Sequence, residues 1–130
     1  MNGTYSFVYS GELGVGIGVF HIVDSQFVGA SLAGGSYKGR AVVDEETGEI
    51  ELSLNMEVPA GVSLVQGTGP QEMTYTKAVG IKAPANFGDG KPFEIYIAPG
   101  PVTLMVKRIP DDWAPLAYGM TVQILPTAAA

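Results

Sequence analysis

GELGVGIGVFHIVD, residues Gly11 to Asp24, decides the fold. Gly14, Gly16 and Gly18 fall on alternate positions within it. Closely spaced glycines serve either a loop that cradles phosphate or a β-strand with one bare face, and the two lead to different proteins. A dinucleotide fingerprint needs G-x-G-x-x-G between a strand and a helix. Here the spacing is G-x-G-x-G, and VFHIVD carries no helical pattern. A P-loop ends in Gly-Lys-Ser/Thr; no such ending exists, and Gly88-Asp89-Gly90-Lys91 runs straight into Pro92. In a strand, successive side chains point to opposite faces. The three glycines then line one face, and Val15, Ile17 and Val19 the other. A bare face lets the strand bend, or lets a large ring lie across it. Tyr5, Phe7 and Tyr9 in the preceding run are the rings placed to do so.

The same two-residue period recurs along the chain. In IELSLNMEV, Ile50, Leu52, Leu54 and Met56 share one face, while Glu51, Ser53, Asn55 and Glu57 share the other. Strict alternation means a sheet with one dry and one wet face, since a helix would scatter those glutamates around its circumference. Phe93, Ile95 and Ile97 alternate, as do Val102, Leu104 and Val106. Met73, Tyr75, Val79 and Ile81 also alternate, with Lys77 interrupting. Turn residues separate these runs: Asp24-Ser25, Gly34-Gly35, Glu46-Thr47-Gly48, Gly88-Asp89-Gly90 and Pro99-Gly100-Pro101. About eight strands at short spacing predict an antiparallel barrel or sandwich. Val58 to Gln71 lacks alternation and reads as a long connection, with one helical turn at Val62 to Val65, that caps one end. Asp111-Asp112-Trp113 reads as a turn, and Tyr118, Met120, Val122 and Ile124 as a final short strand.

A chain of 130 residues suits a single domain. The net charge of −6, with single dispersed basic residues, argues against nucleic-acid binding, which needs a basic stripe. There is no cysteine, which excludes disulfides, thiolate metal sites and cysteine nucleophiles. MNGTYSFVYS has neither a basic segment nor an apolar stretch of signal length, and no run reaches the length of a membrane span. A soluble cytoplasmic protein with no membrane association is the expectation.

Candidate chemistry is sparse. His21 is the single histidine; beside Asp24 it suggests acid–base work, but a zinc site needs three or four ligands, so His21 reads as a strand residue. Gly29-Ala30-Ser31-Leu32-Ala33 distantly suggests a nucleophile elbow, which requires a strand-to-helix turn and a later histidine. Ser31 receives no catalytic role. No pair of carboxylates is fixed at the separation glycoside hydrolysis needs. The densest charge lies in Asp44, Glu45 and Glu46, with Glu49 and Glu51 nearby, at a predicted hairpin tip. Such a cluster is either a solvated turn or a handle for a basic protein surface, because gathered like charges raise the local potential. Trp113 reads as a core residue or an interface anchor.

Several segments in order resemble the global-regulator repressor (GrlR-like) family associated with type III secretion in bacteria. They are NGTYSFVYS (Asn2 to Ser10), the glycine-rich strand (Gly14 to Val19), GGSYKGRA (Gly34 to Ala41), the acidic hairpin, IELSLNMEVPAGVSLVQG (Ile50 to Gly67) and PGPVTLMVKRI (Pro99 to Ile109). The resemblance covers roughly the first four-fifths of the chain. It implies a lipocalin-like, eight-stranded barrel without catalytic activity, forming a homodimer. It also implies capture of a transcriptional activator through an acidic segment, matched here by Asp44, Glu45 and Glu46, with Thr47 and Gly48 standing before Glu49.

The expectation is therefore an all-β, antiparallel, about eight-stranded lipocalin-like β-barrel. It spans residues 1–125 as one domain, with 126–130 as a flexible tail. Its core should hold Phe7, Val15, Ile17, Ile50, Leu52, Leu54, Ile95, Ile97, Leu104 and Val106. The expected function is a non-enzymatic regulatory module that binds a basic protein through Asp44, Glu45, Glu46 and Glu49, with no cofactor, metal or catalytic residue. The alternative is a barrel of lipocalin type that binds a small hydrophobic ligand.

Overall fold

The computed structural model describes residues 1–64 and 67–110. Eight strands follow one another: β1 (Gly3–Gly11), β2 (Gly14–Val23), β3 (Gln26–Ser31), β4 (Ser36–Val43), β5 (Ile50–Val58), β6 (Tyr75–Ala83), β7 (Phe93–Ile97) and β8 (Gly100–Ile109). All pairings are antiparallel, in the order β6-β5-β4-β3-β2-β1-β8-β7, and the described residues contain no helix. The sheet curls until its two edge strands, β6 and β7, lie side by side, so the barrel is nearly closed. Lys77 Nζ bridges that seam by donating to the carbonyl of Ala98. This accounts for the lysine that interrupts the apolar face of β6: its side chain is half-buried and its ammonium finds an acceptor at the β7–β8 turn.

The β1–β2 register answers the question posed by the glycines. Phe7 pairs with Gly18 and Tyr9 with Gly16. A Cβ on Gly18 would stand 2.6 Å from Phe7 Cζ, and one on Gly16 would overlap the Tyr9 ring. Both glycines make room for rings that lie across β2 from the neighbouring strand. Gly14 has a different task. It pairs with Gly11 beside the β1–β2 turn at φ +139°, a backbone conformation L side chains rarely adopt. The next hairpin is equally tight: Asp24 and Ser25 both take positive φ, 48° and 68°, as a type I′ turn demands.

Val15 and Ile17 are not core residues. They are 69% and 47% exposed on the outer surface. The reason is the period itself: if the glycine face turns inward to receive Phe7 and Tyr9, the β-branched face must turn outward. Phe7, Ile50, Leu54, Ile95 and Val106 are buried, and Leu52 and Leu104 pack partly buried against them. Ile97 is half-buried.

The interior has an aromatic wall and an aliphatic wall. Phe20 stacks on Phe27 at 4.6 Å and on Tyr5 at 4.9 Å. Phe7 stacks on Tyr9 at 5.5 Å and meets Tyr37 edge-on at 5.9 Å. β5 to β8 contribute Leu52, Leu54, Ile81, Ile95, Leu104 and Val106. Each fully buried side chain of this kind contributes roughly 1.5–3 kcal/mol, against chain entropy of comparable total size.

The barrel ends are covered by connections. Between β6 and β7, Phe87 is buried and its ring lies 5.1 Å from that of Tyr5. At the other end the β5–β6 connection buries Leu64 against Met56 and Val58, in keeping with a cap. Residues Val62 to Leu64 are not helical; Val65, with which the expected helical turn ends, lies outside the described residues. Met73 precedes β6 and is 76% exposed rather than sharing the face of Val79. The expected turn at Asp111-Asp112-Trp113, the strand from Tyr118 to Ile124 and the tail also lie outside the described residues.

Candidate functional site: an apolar cavity and an acidic turn

The two walls do not fill the barrel. A cavity of about 130 Å³ remains inside it. Rings of Phe7, Tyr9, Phe20 and Tyr37 line it from β1, β2 and β4; Leu52, Leu54, Met56 and Leu104 line it from β5 and β8. Val62, Ser63 and Leu64 of the β5–β6 connection complete its lining. Among the described residues its lining contains no Asp, Glu, Lys, Arg or His. An ion placed against these residues would lose its hydration without gaining a charged partner. For scale, an apolar protein cavity of about 150 Å³ accommodates benzene.

Besides Ser63 of the β5–β6 connection, three hydroxyls from three strands, those of Tyr9, Ser31 and Tyr37, line the cavity among the described residues. Ser31 ends β3 and is almost fully buried. Its Oγ accepts a hydrogen bond from the Gly35 amide at 3.2 Å, fixing the side chain in the tight β3–β4 turn. Gly35 sits close beneath the group. A Cβ there would lie 3.0 Å from Ser31 Oγ and 3.5 Å from the Tyr37 hydroxyl. Burial pushes the Tyr37 hydroxyl well above the ordinary tyrosine range. Tyr9 raises it further, and side-chain hydrogen bonding with Ser31 acts the other way. Tyr37 is therefore a neutral hydrogen-bonding group across the whole physiological pH range.

The second feature is the β4–β5 turn. Asp44 Oδ1 accepts from the Glu46 amide at 2.9 Å, and Thr47 Oγ1 from the Glu49 amide at 3.2 Å. Backbone bonds from Gly48 to Asp44 at 2.7 Å and from Asp44 to Glu49 at 2.8 Å close the loop. The turn thus holds Asp44, Glu45, Glu46 and Glu49 together at one tip, with the last three exposed. Thr47 and Gly48, which separate the acidic residues in sequence, are what folds them back on one another. Val42 and Val43 lie at the base of the turn, 49% and 41% exposed.

His21 stands elsewhere, exposed on the outer face, with Nδ1 2.6 Å from Thr4 Oγ1. Asp24 is occupied in the β2–β3 turn, where its amide donates to Asn2 Oδ1 at 3.2 Å. Trp113 lies outside the described residues. Among the described residues no helix is long and apolar enough to cross a membrane.

Sequence reasoning named the acidic residues and held a ligand-binding interior as its alternative, but it did not place the cavity's lining or single out the hydroxyls of Tyr9, Tyr37 and Ser31. The available signal was Tyr37 in alternation with Gly39 and Ala41, which places a tyrosine on the inward face beside two small residues. No protein-family model matches the chain, and no curated protein matches it.

Proposed function

We propose that this chain is a non-enzymatic binding protein that holds one small, neutral, largely apolar molecule inside its barrel, as lipocalin-like proteins do. The observation that carries the reading is the cavity of about 130 Å³, walled mainly by apolar side chains and, among the described residues, free of carboxylate, amine or imidazole. Its lining side chains come from all around the sheet, so a guest would touch most strands and stabilise the closed barrel. Benzene is the test molecule. Saturable chemical-shift changes at the methyl groups of Leu54 and Met56, and a rise in melting temperature, support the reading. Ligand at ten times its Kd should stabilise the fold by about 1.4 kcal/mol. Unshifted methyls at saturating benzene would refute it.

A second reading is favoured by the acidic turn: a regulatory module, homodimeric and cytoplasmic, that captures a basic protein surface, as the GrlR-like resemblance implies. Four carboxylates carried on a turn closed by internal bonds, flanked by exposed Val42 and Val43, combine charge for steering with apolar area for contact. Affinity capture with the wild-type protein and with a variant reversed at Asp44, Glu45 and Glu46 tests it. Loss of a captured protein in the variant supports the reading, and unchanged capture ends it.

A further inference from the structure

We infer that the hydroxyls of Tyr9, Tyr37 and Ser31 form a polar anchor for a hydrogen-bonding group on the guest, so that the cavity takes phenol-like molecules. The guest class is a single ring or short branched chain bearing one hydroxyl or carbonyl. This rests on the ligand-binding reading above and adds a chemical preference to it.

Three observations carry the inference. First, the lining is apolar apart from a few hydroxyls, and these three belong to strands that the sequence separates but the register brings together. Tyr9 pairs with Gly16 and Leu104, Tyr37 with Gly29 and Met56, and Ser31 with Gly18. Second, the group is built rather than incidental. Gly35 leaves the space beneath Ser31 and Tyr37, its amide holds Ser31 Oγ, and Gly16 leaves the space in which the Tyr9 ring lies. Third, hydrogen bookkeeping leaves capacity over. Three hydroxyls carry three hydrogens. Ser31 and Tyr9 are the hydrogen-bonding neighbours of Tyr37, and those two contacts use two hydrogens at most. Among the described residues one O–H donor therefore remains for a guest acceptor, and oxygen lone pairs remain for a guest donor.

The absence of charge in the lining sets the other half of the specificity. A carboxylate or ammonium guest would be desolvated against neutral hydroxyls alone, which do not offset the loss. A phenol keeps its ring against the apolar walls and exchanges one water bond for one protein bond.

The experiment compares benzene and phenol at pH 7, where phenol is neutral, in the wild-type protein and in Tyr37→Phe. Binding is read by calorimetry and by the methyl shifts of Leu54 and Met56. The phenol-to-benzene affinity ratio should fall about tenfold in Tyr37→Phe, with the benzene affinity of each protein serving as its own reference. Tyr9→Phe should lower the same ratio and serves if Tyr37→Phe unfolds. An unchanged ratio in both variants overturns the anchor and assigns the three hydroxyls to one another or to a bound water. Failure of benzene itself to bind overturns the ligand-binding reading, and with it the anchor. Benzene binding with an unchanged ratio removes the anchor alone.

Discussion

Gly16→Ala is the sharpest test of how the barrel is built. The added Cβ would overlap the Tyr9 ring, whose atoms are its three nearest neighbours. The backbone at Gly16 does not lie in the left-handed region, so alanine is not conformationally strained there. The main cost therefore falls on displacing Tyr9. Its ring must swing by more than an ångström, which breaks the 5.5 Å stack on Phe7. Such a stack contributes about 0.5–1.5 kcal/mol beyond burial, and overpacking a formed core costs about 1–3 kcal/mol in all. The expected loss is about 2 kcal/mol. For a chain of this length that lowers the melting temperature by about 8 °C. The decisive measurement is the same substitution in a Tyr9→Ala background, by urea unfolding. With the ring gone, Gly16→Ala should become neutral or stabilise by about 0.5–1 kcal/mol, because alanine is the better strand residue. Equal destabilisation in both backgrounds would show that Gly16 serves the backbone and would refute the reasoning from Tyr9.

Other outcomes follow from the same geometry. Val15→Ser and Ile17→Thr, on the outer surface, should each change stability by no more than about 0.5 kcal/mol, whereas Phe20→Ala should cost about 3–5 kcal/mol in the same denaturation assay. Stability should fall as pH rises past about 10. There the unfolded chain ionises its tyrosines while Tyr37, raised by burial, keeps its proton, so the native state binds more protons than the unfolded state. Each pH unit in that window removes up to about 1.4 kcal/mol for a fully protected group, and Tyr37→Phe should flatten the slope measured by thermal melts. Reversal of Glu45 and Glu46 to lysine should leave the melting temperature nearly unchanged, since both are exposed and lack ion-pair partners among the described residues, while weakening any basic partner captured through the turn.

The distribution of strands could be read from residue order because alternation is a local property. IELSLNMEV has one apolar face whatever it packs against, and Asp24-Ser25 marks a two-residue hairpin between β-rich runs wherever the hairpin sits. The acidic tip was legible for the same reason, since Asp44 to Glu49 lie within six consecutive positions and their turn bonds are internal. The orientation of β2 was a different problem. Its glycine face and its Val15–Ile17 face are both compatible with burial, and local pattern cannot choose between them. The choice was made by β1, whose rings need the bare backbone opposite them, and that pairing exists only once register is set. Likewise Lys77 reads as a break in an apolar face until the seam brings the Ala98 carbonyl within its reach. The cavity and its hydroxyls belong to this second class. Whether opposing walls meet depends on how far a closed sheet holds them apart, and Tyr9, Ser31 and Tyr37 become neighbours only through three strand pairings. Sequence by itself determined which residues form strands and where the chain turns, because those follow from contacts between near neighbours. Tertiary structure alone decided which face is inside, what space remains there and which polar groups look into it, because those follow from contacts that chain closure creates.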